Sequence, residues 1–177
     1  MKLANRRMDL SFAIMNKNEV RIMKFEKATT NDINQLTDLR AAYIQEDLGD
    51  VETADLEAMR EALPTYYAAH LGKDLYVYIT RNDDGEIVSC AFLLIVEKPA
   101  SPAFITGKTG TVLNVYTKPE FRHKGYAKKL MEMMLADAVK EHLSVVELKA
   151  TDDGYQLYKA VGFEEVVSKY HVMRVRL

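Results

Sequence analysis

The stretch that decides the fold is "NVYTKPEFRHKGYAKKLMEMML", residues 114–135, in which a strand-like run gives way to a helix-like run. The strand-like part ends an apolar and β-branched segment at 109–117, and the helix-like part continues to residue 141 with its apolar side chains in one stripe. The turn between them contains one glycine, Gly125, which lets the backbone bend and approach a ligand without a Cβ in the way. Several cations surround this glycine: Arg122, His123, Lys124, Lys128 and Lys129.

The turn has the chemistry of an anion site, because a helix N-terminus presents unpaired N–H groups and the positive end of a dipole. We therefore predict that residues 122–128 hold a phosphate or pyrophosphate. The alternative is a solvated basic first turn without a ligand, which is the common outcome for so short a motif. The sequence contains neither G-x-x-x-x-G-K-[ST] nor G-x-G-x-x-G, so a nucleoside triphosphate or a dinucleotide lacks its usual motif.

Composition narrows the class of protein. The 177 residues suit one domain, and a hydrophobic content of 48% suffices for a full core. The formal net charge of -2 argues against a protein that coats nucleic acid.

The single cysteine, Cys90, fits a reducing compartment, and we interpret it as a buried free thiol because no His or acidic pattern flanks it. The four histidines are scattered, which predicts no metal site. No stretch is long enough to span a membrane, so we expect a soluble cytoplasmic protein.

Runs of β-branched and aromatic residues alternate with helical patterns in the order β-α-α-β-β-β-α-β-α-β-β. This order predicts an α/β fold, a single domain with a mixed, mostly antiparallel sheet flanked by helices. The nearly all-apolar strand at 86–96 is expected at the centre of the sheet. The other predicted strands are 20–28, 75–80, 109–117, 145–150, and two at the C-terminus, 163–167 and 170–177. The predicted helices are one to about Glu46 that follows a capping box at Thr29 and Asp32, one at 53–63, and those at 126–141 and 152–161. Pro64 interrupts the second of these and could start another short helix, which Gly72 would close.

Two motifs together resemble the GNAT superfamily of N-acetyltransferases. The pattern Pro-x-x-[RQ]-x-x-G-x-[GA] between a strand and a helix is met by Pro119, Arg122, Gly125 and Ala127. Downstream, "YQLYKAVGFEE" resembles the family's later LY-x-x-x-GF motif at Leu157, Tyr158, Gly162 and Phe163. The resemblance covers residues 21–177 in fold order, which would be the N-acetyltransferase domain, and leaves 1–20 as an N-terminal extension of unknown role.

The resemblance implies how acetyl-CoA would be held. In the family, the loop that matches 123–128 binds the CoA pyrophosphate through backbone amides, and the strand end that matches 115–117 bonds the pantetheine arm through its main chain. The strand at 109–117 usually splays from its parallel neighbour, here 145–150, which opens a V-shaped slot for the cosubstrate. No metal is implied. The cosubstrate-binding residues implied are Val115, Tyr116, Thr117, Arg122, His123, Lys124, Gly125, Tyr126, Ala127 and Lys128.

Tyr158 matches the family's usual general acid. A phenol with a reference pKa near 10 stays protonated at neutral pH, and a thiol titrates near about 8.5, so a nearby phenol can donate a proton to the leaving CoA thiolate. The alternative is that Tyr158 is an ordinary packed residue of the core. One departure from the family is Thr151, which stands where many members have an Asn that contacts CoA. Thr151 could hydrogen-bond the cosubstrate or merely cap the helix.

The sequence leaves the acceptor side open. Glu147 and Glu97 are candidates for the general base, but a solvated strand-end charge is the better interpretation of each, and a water chain could serve instead. The segment "YYAAHLG" at 66–72, with Tyr66, Tyr67 and His70, is a candidate lining of the acceptor site, since the family's first two helices border it. Its alternative is helix packing.

We thus expect an acyltransferase that moves an acetyl group from acetyl-CoA directly to an amine of a small molecule, peptide or protein. The alternative is a non-catalytic acyl-CoA-binding sensor or interaction module on the same fold. It is disfavoured by the retention of Tyr158. A basic helix for nucleic acid ranks last, because the cations stop at Lys129. Neither nucleic acid nor a membrane is an expected partner, and a homodimer is left open.

Overall fold

The computed structural model describes residues 11–16 and 19–176, and in that part of the chain six strands form one mixed sheet. Their order in the sheet is their order in the sequence. The first five strands pair antiparallel with their neighbours, and the last pair is parallel. The strands are β1 Ser11–Asn16, β2 Glu19–Lys27, β3 Leu75–Arg81, β4 Ile87–Glu97, β5 Lys108–Thr117 and β6 Val145–Glu147. The helices are α1 Ile33–Leu48, α2 Thr53–His70, α3 Tyr126–Lys140 and α4 Asp152–Ala160.

Helices cover both faces of the sheet, which confirms the predicted fold class. On one face, Leu36 of α1 and Tyr67 of α2 pack against strand side chains such as Ile79 and Phe92. On the other face, α3 contributes its apolar stripe. Each large apolar side chain that is fully buried in this way adds about 1.5–3 kcal/mol to the free energy of unfolding. β4 is buried on both faces over its first seven residues, as its apolar sequence predicts for a central strand.

The start of α1 follows the predicted capping box. The Thr29 side chain accepts from the backbone of the first turn, and the Asp32 carboxylate accepts from the Thr29 backbone N–H at 2.8 Å. Asp32 is buried and also pairs with Arg81 of β3 at 2.7 Å. These contacts fix α1 against the sheet, and through it the side chains that α1 presents near its C-terminal end.

Several elements differ from the sequence-based expectation, among them β6, which ends at Glu147 and not at residue 150. The helix at 53–63 does not stop before Pro64 but continues as α2 to His70. Proline removes one backbone hydrogen bond, and the helix persists because residues on both sides of it, Leu63 and Tyr67, pack into the same core. The strand β1 was not predicted from the sequence. It lies inside the expected N-terminal extension and pairs with β2. Residues 1–10 of that extension lie outside the described residues.

The two predicted C-terminal strands are wrong for the described residues. Residues 163–176 form no strand, and Val167, Val172 and Met173 are at least nine-tenths exposed. A strand requires a ladder of backbone hydrogen bonds. The edge strand β6 is only three residues long and, among the described residues, pairs only with β5, so it offers a further strand a very short template. The last residue of the predicted strand, Leu177, lies outside the described part.

Candidate active site

A cleft opens where β5 and β6 diverge. Their parallel pairing runs from Thr109 with Val145 to Thr111 with Glu147, and β5 then continues to Thr117 without β6 beside it. The register between β4 and β5 slips by one residue between the pairs at Ala91 and Leu93, which marks a β-bulge in this part of β5. The predicted splay of these two strands is therefore confirmed. A cavity of about 920 Å³ occupies the opening, a volume within the usual range for ligand sites.

The cosubstrate-binding residues that the resemblance implies, together with Tyr158, all line this one cavity. They come from three parts of the chain, which are the end of β5, the loop that leads into α3, and α4. The lining includes Val115, Tyr116, Thr117, Arg122, His123, Lys124, Gly125, Tyr126, Ala127, Lys128 and Tyr158.

The loop before α3 bends through two left-handed residues. His123 has φ 60° and Gly125, the N-cap of α3, has φ 80°. A Cβ built at Gly125 would meet no protein atom within 4 Å, so the backbone there borders open space at the cavity. The Gly125 carbonyl accepts from the Lys129 N–H at 3.1 Å, and the N–H groups before Lys129 have no carbonyl one turn earlier within the helix. The loop thus has the geometry of a backbone anion cradle.

The cations of this loop do not all point at the cradle. The Arg122 Nε donates to the Thr117 carbonyl at 2.9 Å, and its Nη2 pairs with Glu46 of α1 at 2.6 Å. The Lys124 ammonium donates to the Glu120 carbonyl at 3.0 Å. These side chains tie the loop to its surroundings, so the attraction for an anion rests on the backbone more than the sequence suggested. Tyr126 also differs from a simple contact residue, because its side chain is buried in the core against Phe25.

Tyr158 reaches the cavity from α4. Its ring packs edge-on against Phe163, with 6.0 Å between centroids, and burial raises the pKa of its hydroxyl to about 12, with a smaller contribution from Tyr43. Within residues 22–176, no side chain or backbone group hydrogen-bonds this hydroxyl. Tyr158 is therefore both a packed residue and a protonated donor whose hydroxyl has no partner among the described residues, so the two alternatives raised by its sequence are not exclusive.

The wall opposite Tyr158 was not identified from the sequence. It consists of Tyr43, Glu46 and Asp47 of α1, which line the same cavity. The Tyr43 ring packs edge-on against Tyr116 of β5, with 6.4 Å between centroids. The spacing i, i+3, i+4 places these residues on one helix face, but the same spacing occurs on every amphipathic helix and does not by itself indicate a binding site.

Behind this wall lies a buried polar chain. Arg40 of α1 donates to the Asn114 side chain at 3.0 Å, and the Asn114 amide in turn lies 3.5 Å from the Cys90 sulfur. Asn114 and Cys90 are fully buried, and burial raises the pKa of the Cys90 thiol to about 12. The expectation of a buried, unreactive cysteine is confirmed.

Several other candidates lie away from the cavity. Tyr67 is buried in the core and packs against Phe92, and His70 pairs with Asp74 at 2.9 Å, so helix packing is the better interpretation of 66–72. Glu97 pairs with Lys108 across the far end of β5, and Glu147 is exposed on β6; neither carboxylate is in the cavity lining.

Thr151 serves as the N-cap of α4, since its side chain accepts from the Gly154 N–H at 3.3 Å, and it also lines the cavity. Among the residues that the structure describes, no cluster of His, Cys, Asp or Glu could hold a metal ion. No helix in that same part of the chain combines the length and the apolar character needed to cross a membrane.

Known proteins share this architecture. Residues 36–163 match the model of the acetyltransferase (GNAT) family. A predicted acetyltransferase from Clostridium acetobutylicum, solved with acetyl-CoA, is 24% identical and superposes with a TM-score of 0.75 over 86% of this chain and 96% of its own. A GCN5-related N-acetyltransferase from Ralstonia eutropha is 21% identical, with a TM-score of 0.71 over 85% and 98% of the two chains.

A third similar structure is the ribosomal-protein-alanine N-acetyltransferase from Brucella melitensis, which is 22% identical with a TM-score of 0.63 over 86% and 99% of the two chains. At these identities the likeness concerns the fold. No curated protein is significantly similar to the chain in sequence.

Proposed function

Because the chain belongs to the GNAT family of acetyltransferases, we propose that it transfers the acetyl group of acetyl-CoA directly to an amine, with residues 21–177 as its catalytic domain. The observation that carries this proposal is the cleft between β5 and β6, where the backbone turn at Gly125 and the hydroxyl of Tyr158 border one cavity. A phosphate cradle would hold the CoA end of a thioester, and a proton donor in the same cleft would protonate its leaving thiolate.

The cosubstrate supplies a thioester whose carbonyl carbon is the electrophile. In our proposal, the N–H groups of Ala127 and Lys128 bind its pyrophosphate, because they have no carbonyl one turn earlier within α3 and lie at the positive end of the helix dipole. The edge of β5 beyond Thr111 no longer pairs with β6, so its main chain is available to an extended arm laid along it. Arg122 acts by holding the loop to Thr117 and to α1.

Tyr158 is the proposed general acid. The thiolate that leaves needs a proton, and a phenol whose pKa is raised to about 12 is protonated throughout the neutral range. The hydroxyl has no partner among the described residues, so a sulfur atom placed near it would not have to displace a protein group. The phenol recovers its proton from the nitrogen that has been acetylated.

The experiment has two stages. Isothermal titration of acetyl-CoA and CoA, with and without a chelator, tests binding, and we expect binding that the chelator does not change. Thiol release in a panel of primary amines then tests transfer. Failure to bind CoA at millimolar concentration would refute the whole proposal. Binding without thiol release from any amine would favour the non-catalytic acyl-CoA-binding module.

A further inference from the structure

Two tyrosines border the reaction cleft from separate helices. Tyr43 of α1 and Tyr158 of α4 line the same cavity, and Tyr43 is the neighbour whose charge contributes to the raised pKa of Tyr158. The Tyr43 ring is held in place from two sides, by the edge of Tyr116 and by the Arg40 guanidinium 5.6 Å from its centroid. Tyr43 is therefore a positioned group on the wall that faces the proposed acid.

Asp47 lies one helical turn after Tyr43 and lines the same cavity. Burial raises the pKa of Tyr43 and the nearby charge of Asp47 raises it further, while Arg40 acts in the opposite direction. Tyr43 and Asp47 therefore share one face of α1 at the edge of the cleft, and Asp47 is exposed to solvent.

Four carboxylates line the cavity, and only one of them is placed to meet an incoming amine. Glu46 is paired with Arg122 at 2.6 Å. Asp152 and Asp153 lie in the first turn of α4, where the helix dipole already stabilises negative charge. Within the described side chains, no lysine or arginine forms an ion pair with Asp47, so its charge is available to a ligand.

We propose that Asp47 and Tyr43 form the subsite for the acceptor's amino group, and that the acceptor is an alkylamine, cationic at neutral pH. The inference rests on the proposed acetyl transfer and adds the class of acceptor. The carboxylate attracts the ammonium group, and the Tyr43 hydroxyl orients it toward the thioester opposite Tyr158. An arylamine, uncharged at neutral pH, gains nothing from this carboxylate.

The proton balance of the step fits this arrangement. The ammonium that Asp47 attracts gives one proton to bulk water, which reaches this exposed edge of the cleft. The nitrogen lone pair forms the new N–C bond, the C–S bond breaks, and its electron pair leaves with sulfur. Tyr158 protonates the sulfur, and the second nitrogen proton restores the phenol. The net products are the amide, CoA with its thiol, and one proton in solvent.

The test compares Asp47→Asn with a matched control, Asp50→Asn, on full-length protein. Asp50 is an exposed carboxylate just beyond the end of α1 and is not in the cavity lining. Melting curves and acetyl-CoA titrations first establish that both variants fold and bind as the wild type does. Thiol release is then measured with n-alkylamines and diamines, and in parallel with aniline-type arylamines.

We expect Asp47→Asn to raise KM for the alkylamines by about 10-fold or more, since a charge-assisted hydrogen bond is lost. Asp50→Asn should keep the KM of the wild type. Tyr43→Phe should raise the same KM by less. Equal KM values in wild type and Asp47→Asn, or a wild type that prefers arylamines, would overturn this inference and leave acetyl transfer standing. A wild type that acetylates no amine would overturn both.

Discussion

Gly154 and Tyr158 share a space that admits no additional atom. A Cβ built at Gly154 would lie 2.7 Å from Cε2 of the Tyr158 ring and 3.3 Å from its hydroxyl oxygen. The backbone of Gly154 belongs to the first turn of α4, where any residue can adopt the helical conformation. The glycine is therefore required by the ring of the proposed acid rather than by the backbone.

Gly154→Ala should displace the Tyr158 ring without unfolding α4. Alanine favours a helix by about 0.5–1 kcal/mol over glycine, which offsets part of the strain. Since a misplacement of about 1 Å at a reacting group can cost up to about 100-fold in rate, we expect kcat to fall by about 10-fold or more. Steady-state kinetics and a thermal melt of the variant check both parts.

A double-mutant cycle separates this mechanism from general damage. In a Tyr158→Phe background, Gly154→Ala should lower kcat by no more than about twofold, because the hydroxyl that it would displace is already gone. Additive losses would mean that Gly154 acts through the N-terminal turn of α4 and not through Tyr158.

Tyr158→Phe should lower kcat by about 100-fold while the affinity for CoA stays the same, because the loss falls on proton transfer and the cradle lies in another part of the cleft. The ring and its contact with Phe163 remain, so the melting temperature should change little.

Tyr155→Phe is the matched control. Tyr155 is on the same helix, and its hydroxyl bonds Glu165 at 2.8 Å and is outside the cavity lining. Full turnover in Tyr158→Phe would leave solvent as the proton donor.

The elements that were predicted from the sequence are those with a local signal. The β5–loop–α3 unit has a period-two run, a glycine and an amphipathic stripe in one continuous segment, and Tyr158 lies in a second motif of the same family. Tyr43 and Asp47 carry no such signal, because they are ordinary residues of an amphipathic helix until the fold brings them opposite α4. Likewise, the sequence suggested that the Arg122 side chain binds phosphate. In the fold it pairs with Glu46, which is 76 residues away in sequence, so the local pattern could not indicate this partner.

The pKa of Tyr158 predicts how stability depends on pH. The hydroxyl titrates near 10 in an unfolded chain and at about 12 in the fold, so the unfolded state loses this proton first. The contribution of Tyr158 to stability is present below about pH 10 and is lost as the pH rises toward 12. Denaturant midpoints between pH 8 and 11 should therefore fall less steeply in Tyr158→Phe than in the wild type. An equal slope in both would mean that other buried tyrosines, such as Tyr67, dominate the alkaline loss.

A substitution at Gly125 can distinguish a phosphate site built from backbone N–H groups from one built from charged side chains. A residue with a Cβ at φ 80° is strained, and here the Cβ would also enter the open space that borders the cavity. Gly85, at φ 79° in the turn before β4, provides a matched control, because a Cβ there also meets no protein atom within 4 Å and Gly85 lies outside the cavity lining. Both Gly→Ala variants should lose a similar free energy of unfolding, about 1–2 kcal/mol.

Only Gly125→Ala should weaken CoA binding, and Gly125→Val should weaken it further, because a β-branched side chain crowds the pyrophosphate. Lys128→Ala should raise the Kd for CoA by less than about fivefold, since Lys128 is exposed and a screened surface charge contributes about 1 kcal/mol or less to binding. Isothermal titration of CoA into the four variants measures these effects at one ionic strength. A larger loss from Lys128→Ala than from Gly125→Val would show that side-chain charge, and not the backbone amides before Lys129, holds the phosphate.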